Sequence, residues 1–378
     1  MSVPSLPDAP RHIALFTRTM HGGGLERVVG NLANEFARRG HQVDLVLAEA
    51  IGDFLGELDS RVRVVPLNAP KLRAYTLALA GYLRKQRPEA LLSASDECNL
   101  AAVWARGLAR VPTHLVVSCH STLSRYVPVA RDRKVRLLPF LIRRTYSHAD
   151  AVVAVSEGVA DDLAKVSGIA REKIKVIYNP GATDAMIDGN RPPVDHPWFV
   201  QRTEPVILGV GSLRRAKDFP TLIRAFKRLL GVKSARLMIL GEGVDRTALE
   251  ALVASEGLVD RVQLPGFCQN PWDYIAAADL FVLSSEWEGL PTVLIEALAL
   301  GTRVVATDCP SGPREILEQG RHGELVPVGD DALLAQAMIR ALESPGDAIA
   351  RRLSARRFTP GPSGDAYLSL LLGHSIQA

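Results

Sequence analysis

The chain has 378 residues, 47% hydrophobic and 23% charged, a balance that excludes a disordered or low-complexity protein and predicts two domains of roughly 180 residues each. Four scattered cysteines without a CxxC pair argue against a disulfide framework or a zinc site, and no apolar run nears the roughly 20 residues of a membrane span. The N-terminus "MSVPSLPDAPRH" lacks a leader pattern, so a cytoplasmic location is expected. The net charge of +4 is uneven: residues 1–200 carry 26 basic against 20 acidic groups, residues 201–378 carry 19 against 21, and the basic half is expected to meet an anion.

The first strand, "HIALFT", is followed by Gly22, Gly23 and Gly24 and then by a helical run bearing Leu25, Val28, Val29, Leu32, Ala33 and Phe36. A helix start offers unpaired N–H groups and a positive dipole end, and glycine lets a phosphate approach them. A tight turn needing positive φ is the competing reading. The loop does not match GxGxxG, which disfavours a nicotinamide site. Strands follow at "QVDLVLA", "VRVVPL", "ALLSAS", "HLVVSC", "AVVAVS" and "IKVIY", separated by amphipathic stretches. Between "HLVVSC" and "AVVAVS" lies "RYVPVARDRKVRLLPFLIRR", with seven basic residues against the single acid Asp132 and apolar residues interleaved. Arg131, Arg133, Lys134 and Arg136 there suit an anionic membrane surface or lipid diphosphate, at the inner face of the cell membrane; a solvated helix is the plainer reading.

Residues 181–205, rich in Pro, Gly and Asp, read as a linker between an N-terminal domain (1–180) and a C-terminal one (206–360), with 361–378 packing back on the first. The second domain repeats the pattern with strands at "PVILGVG", "ARLMILG", "RVQLPG", "LFVLSS", "RVVATD" and "ELVPV". The fold class is α/β: two tandem Rossmann-like, doubly wound domains facing a cleft lined by strand-to-helix loops, where ligands bind such sheets. In "EWEGLPTVLIEALALG" Glu288 falls in a loop, Pro291 suits a first helical turn, and Glu296 lies one turn beyond Thr292. Carboxylates on either side of a helix entrance suit a ligand with hydroxyls at both ends and phosphates between, the layout of a nucleotide sugar.

"SSEWEGLPTVLIEALALGTRVVATDCPSGPREIL" closely resembles the E-x7-E signature of retaining glycosyltransferases of family 4, whose fold is GT-B. The resemblance extends through "GGGLERVVGNLA", "AVVAVSEGVADDL", "KVIYNP", "GVGSLRRAKDFPTLIRAF" and "VQLPGFCQNPWDYIAAADLFVLSS". It implies transfer of a hexose or N-acetylhexosamine from a nucleoside diphosphate sugar, UDP first among the bases, with no metal or other cofactor. Glycan, lipid-linked or lipopolysaccharide acceptors are implied, and no nucleic-acid motif is present.

Carried over by resemblance, Glu296 accepts from ribose hydroxyls and Glu288 from the donor sugar. Gly289, Leu290, Pro291, Thr292 and Val293 face sugar and phosphates, Gly23 and Gly24 admit the diphosphate from the other domain, and Gly266 and Phe267 of "LPGF" meet the base. Lys217 matches a phosphate-binding lysine and His120 a histidine beside the reacting sugar. Ser212 stands where the family often has arginine, which leaves Arg214 or Arg215 to supply the second cation. Two alternatives keep the fold: a non-hydrolysing nucleotide-sugar epimerase, and a non-catalytic sugar-nucleotide-binding subunit.

Overall fold

The computed structural model describes residues 9–130, 132–189, 191–344 and 346–373. The chain to Pro180, joined by the segment from Pro360 onward, forms one compact unit; Gly181–Thr359 forms a second.

The first unit is built on seven parallel strands: β1 (His12–Thr17), β2 (Gln42–Leu47), β3 (Val62–Pro66), β4 (Ala90–Ala94), β5 (His114–Cys119), β6 (Ala151–Ala154) and β7 (Ile174–Val176). Their order, β3-β2-β1-β4-β5-β6-β7, reverses direction between β1 and β4, which pair from Ile13 against Ala90. Helices cover both faces, so the strands are continuous apolar runs; Ile13 to Phe16 are wholly buried. The helix Gly24–Arg38 packs Val28, Leu32 and Phe36 onto this core. The last helix, Pro360–Leu371, belongs to the same unit: Tyr367 and Leu371 join its core, Ser363 Oγ donates to the Tyr178 carbonyl at 2.7 Å, and Arg39 pairs with Asp365.

The second unit carries six parallel strands: β8 (Val206–Val210), β9 (Arg236–Leu240), β10 (Val262–Gly266), β11 (Leu280–Leu283), β12 (Val304–Thr307) and β13 (Glu324–Val326). Their order is β10-β9-β8-β11-β12-β13, again with the reversal beside the first strand. Helix Phe219–Leu230 starts on a cap in which Asp218 accepts from the Thr221 N–H, and it buries Leu222, Phe226 and Leu229.

All the expected strands form, each within a residue or two of its apolar run. The stretch read as a linker does not behave as one. It belongs to the second unit and forms two short helices, Asp184–Asp188 and Pro197–Gln201, capped by Thr183 and His196. Burial of Met186, Ile187 and Phe199 outweighs the loop-like composition around them. Among the described residues no helix is long and apolar enough to cross a membrane.

Candidate functional site

In the second unit β8 and β11 lie side by side, Ile207 opposite Leu280, so the loops leaving their carboxyl ends meet. Lys217 comes from the first loop and Glu288 from the second. Lys217 Nζ donates to Glu288 Oε1 at 2.6 Å, and Ser285 Oγ donates to the same oxygen at 2.6 Å. The loops are also tied through the backbone. Ser284 Oγ donates to the Lys217 carbonyl at 2.7 Å, the Glu286 N–H to the Ala216 carbonyl at 2.8 Å, and Thr307 Oγ1, from β12, to the Ser285 carbonyl at 2.6 Å. Gly211 leaves room for the lysine stem, since a Cβ there would lie 3.0 Å from Lys217 Cε and the stem would have to shift. The lysine and glutamate side chains keep only 17% and 12% exposure, which places an ion pair in a partly dry setting.

Three residues beyond Glu288, at the N-cap Pro291, the chain turns into the helix Thr292–Ala299, which has no side-chain cap bond. Thr292 and Val293 are half-buried at this start, whereas Leu290 and Glu296 are buried. The turn is clamped from behind by the loop after β12. Ser311 Oγ donates to the Gly289 carbonyl at 2.7 Å, and Gly312, at φ +93°, lies so close that a Cβ on it would stand 2.5 Å from Pro291 Cδ. Cys309 in the same loop donates to the Ser311 carbonyl; burial, reinforced by the Glu288 charge, pushes its thiol up to about 12, so it stays protonated.

The second cation is less well placed. Ser212 and Arg214 are exposed, and Arg215 pairs with Glu286 at 3.1 Å with 66% of its side chain in solvent. Arg215 is thus paired with a carboxylate of its own on an exposed face of the loop. Gly266 closes β10 at φ +108° with its carbonyl taken by the Gly241 N–H, and Phe267 follows, 50% exposed.

In the first unit, helix Gly24–Arg38 has Gly23 as N-cap in extended geometry, φ −141°. Gly22, Gly23 and Gly24 are all absent from the positive-φ positions, so turn geometry is not what selects glycine there. A Cβ on Gly23 would fall 2.3 Å from Glu26 Oε2: the carboxylate lies back over the helix start, where burial raises its pKa while its own backbone N–H and His21 lower it. His120 follows β5. Its Nε2 lies 3.1 Å from Ser118 Oγ, which is 2.9 Å from the Tyr367 hydroxyl. Burial drives the imidazole down to about 3, so at neutral pH it acts as a neutral hydrogen-bonding group.

Asp96, which the sequence reading passed over, stands at the same offset past β4 as His120 past β5, counting from the partners Ala94 and Ser118. Burial lifts its carboxyl to about 6, against the Tyr146 hydroxyl that donates to it at 3.4 Å.

The basic stretch forms a helix at Leu123–Val129, a 3-10 turn at Arg133–Leu137 and a helix at Leu138–Thr145, Pro139 falling in the first turn of the last. Arg136 is exposed together with Leu137 (60%) and Phe140 (56%). Arg131 and the side chains of Arg133 and Lys134 lie outside the described residues. Among the described residues no cluster of three or more His, Cys, Asp or Glu is arranged to hold a metal ion.

Two family descriptions match the chain in succession: "Glycosyltransferase Family 4" over residues 22–184 and "Glycosyl transferases group 1" over residues 194–357. The chain belongs to the family 4 glycosyltransferases. Among its relatives, the lipopolysaccharide core biosynthesis glycosyltransferase LpsE of Rhizobium meliloti is 29% identical over 365 residues, covering 92% of this chain and 96% of LpsE. An N-acetylgalactosaminyltransferase of Campylobacter jejuni, named for a diphospho-undecaprenol-linked acceptor, is 36% identical over 204 residues; the match spans 54% of either protein. HepE of Anabaena, solved in complex with UDP-glucose, superposes with a TM-score of 0.79 over 96% of this chain and 99% of that one at 20% identity, which establishes a shared fold, GT-B as the resemblance implies. In this family 4 glycosyltransferase the loops after β8, β11 and β12, and in the first unit those after β1, β4 and β5, thus hold the candidate functional residues.

Proposed function

We propose that the chain is a retaining hexosyltransferase that moves a hexose or N-acetylhexosamine from a UDP-sugar to a glycan or lipid-linked acceptor in cell-surface polysaccharide or lipopolysaccharide assembly. The observation that carries this is the convergence of Lys217, Glu288 and the uncapped start of helix Thr292–Ala299, with Glu296 buried one turn into that helix. The relatives' names, which refer to lipopolysaccharide core and diphospho-undecaprenol acceptors, support the substrate class.

In this reading the bond between the anomeric carbon and the β-phosphate oxygen breaks with its electron pair going to the diphosphate. The acceptor oxygen bonds to the same face of the sugar, and its proton passes to the departing oxygen. Lys217 and the amides of Thr292 and Val293 stabilise the growing diphosphate charge, the kind of preorganised donor that contributes most to rate. Glu296 accepts from the ribose hydroxyls and Glu288 from the sugar hydroxyls. No metal is called upon, so turnover persists in EDTA. The reaction is placed on the cytoplasmic side of the membrane, with exposed Arg136, Leu137 and Phe140 part of a peripheral contact; weaker, salt-sensitive binding of Arg136→Gln to anionic vesicles tests that part.

Calorimetry with UDP alone tests the donor assignment. Glu296→Ala should lose affinity and Glu288→Ala should keep most of it while losing turnover. Equal affinity in wild type and Glu296→Ala would remove Glu296 from the ribose site. Incubation with donor alone separates the transferase from an epimerase, which would convert the sugar without an acceptor.

A further inference from the structure

At the opposite end of the second sheet a cavity of about 450 Å³ opens beside the amino ends of β12 and β13. Arg303, Arg321, His322, Arg340 and Arg351 line it, against two carboxylates, Glu324 and Asp347. Both carboxylates are already engaged. Glu324 accepts from Arg340, and Asp347 Oδ1 caps the helix Ala348–Ala355 by accepting from the Ala350 N–H at 2.9 Å. His322 is engaged too, 3.2 Å from Glu318.

Arg351 is the residue that demands an explanation. It is 8% exposed, and its Nε and Nη2 both donate to the Gly301 carbonyl, at 3.1 and 3.0 Å. No carboxylate stands within ion-pair distance of it among the described residues. Nη1 points to Gly346, where a Cβ would lie 2.8 Å away. A buried guanidinium hydrogen-bonded to a neutral carbonyl keeps most of its charge uncompensated, an expensive arrangement unless a counter-charge arrives. Arg303 aggravates it: burial first and the Arg303 charge second lower the Arg351 pKa, with Asp347 offsetting only part.

We propose that this cavity binds a phosphate-bearing ligand, at the end of the sheet opposite Lys217 and Glu288. Arg351 supplies the buried charge, while Arg303 and Arg340 close on the anion from the rim, since guanidinium groups match phosphate oxygens in forked pairs. The site is independent of the proposed donor site, because the strands of this sheet are parallel and the two sets of loops leave from opposite ends.

The test is thermal unfolding in inorganic phosphate against chloride at equal ionic strength, with binding to phosphatidic acid vesicles run beside it. Phosphate at ten times its Kd should raise the melting temperature by about 3–6 °C. Wild type and Lys217→Ala should both gain, whereas Arg303→Gln, Arg340→Gln and Arg351→Gln should lose most of the gain. The two rim variants keep the test sound if Arg351→Gln folds poorly. Loss of the phosphate gain in the rim variants identifies a soluble ligand. Vesicle binding lost in the same variants, without a phosphate gain in wild type, identifies a lipid headgroup as the source of the phosphate. A gain that survives in the rim variants or disappears in Lys217→Ala, or no response to either probe, overturns the proposal.

Discussion

Replacing Lys217 with alanine takes away the charged donor to Glu288 Oε1, while Ser285 still donates to the same oxygen. A hydrogen bond to a charged group contributes about 1.5–3 kcal/mol, and breaking a fully buried pair costs about 3–5 kcal/mol. The pair retains 17% and 12% side-chain exposure, and Ser285 remains, so the lower range applies and a loss of about 2 kcal/mol is expected. For a unit of this size that lowers the melting temperature by about 4–8 °C. The double variant Lys217→Ala/Glu288→Gln leaves no unpaired charge and should recover roughly half of the loss. Turnover of Lys217→Ala should fall by about 10²–10³, with donor affinity changed less, because the charge it meets grows as the glycosidic bond breaks. Circular dichroism melts of the wild type, both single variants and the double variant, read with initial rates, decide the matter. A Lys217→Ala protein that melts like wild type, or a double variant that loses the sum of the singles, refutes the pairing argument.

Two further outcomes are expected. Gly312→Ala forces a side chain into φ +93° and a Cβ to 2.5 Å from Pro291, so it should cost about 1–3 kcal/mol and displace the Gly289–Thr292 turn; wild-type stability and nucleotide affinity in this variant would show that the clamp is dispensable. Because burial depresses His120 from 6.5 to about 3, the unfolded chain takes up a proton first as pH falls through that window, and stability drops with it. His120→Asn should then flatten the acid side of the stability curve between about pH 3 and 6.5, and parallel wild-type and variant curves would contradict the assignment.

The strands could be read from the chain because parallel sheets covered on both faces turn each strand into an unbroken apolar run, as at Ile13–Phe16 and Phe281–Leu283. Glu288, Glu296 and Lys217 were legible singly, but the meeting of Lys217 with Glu288, 71 residues apart, is a product of β8 and β11 pairing. Ser285, Thr307, Ser311 and Gly312 were missed because hydroxyl and glycine residues look alike in any loop; the small-residue cluster "CPSG" after β12 was the available signal. The misread linker is the converse case, since Pro and Gly dominated the composition while Met186, Ile187 and Phe199 carried the structural information. Asp96 went unnoticed for want of any pattern in one dimension: its significance comes from standing in register with His120.

The helix Pro360–Leu371 also bears on synthesis at the ribosome. The second unit is one uninterrupted stretch of chain, whereas the first is completed only by residues that follow the second. Ser118 and Tyr367, hydrogen-bonded at 2.9 Å, are separated by 249 positions, and it is Ser118 that steadies His120. The surroundings of His120 are thus finished only after Lys217 and Glu288 have been made, so a nascent or prematurely stopped chain lacking the helix Pro360–Leu371 would carry the second unit's candidate residues without a steadied His120. The order of translation itself then withholds the complete first unit until that helix has been made.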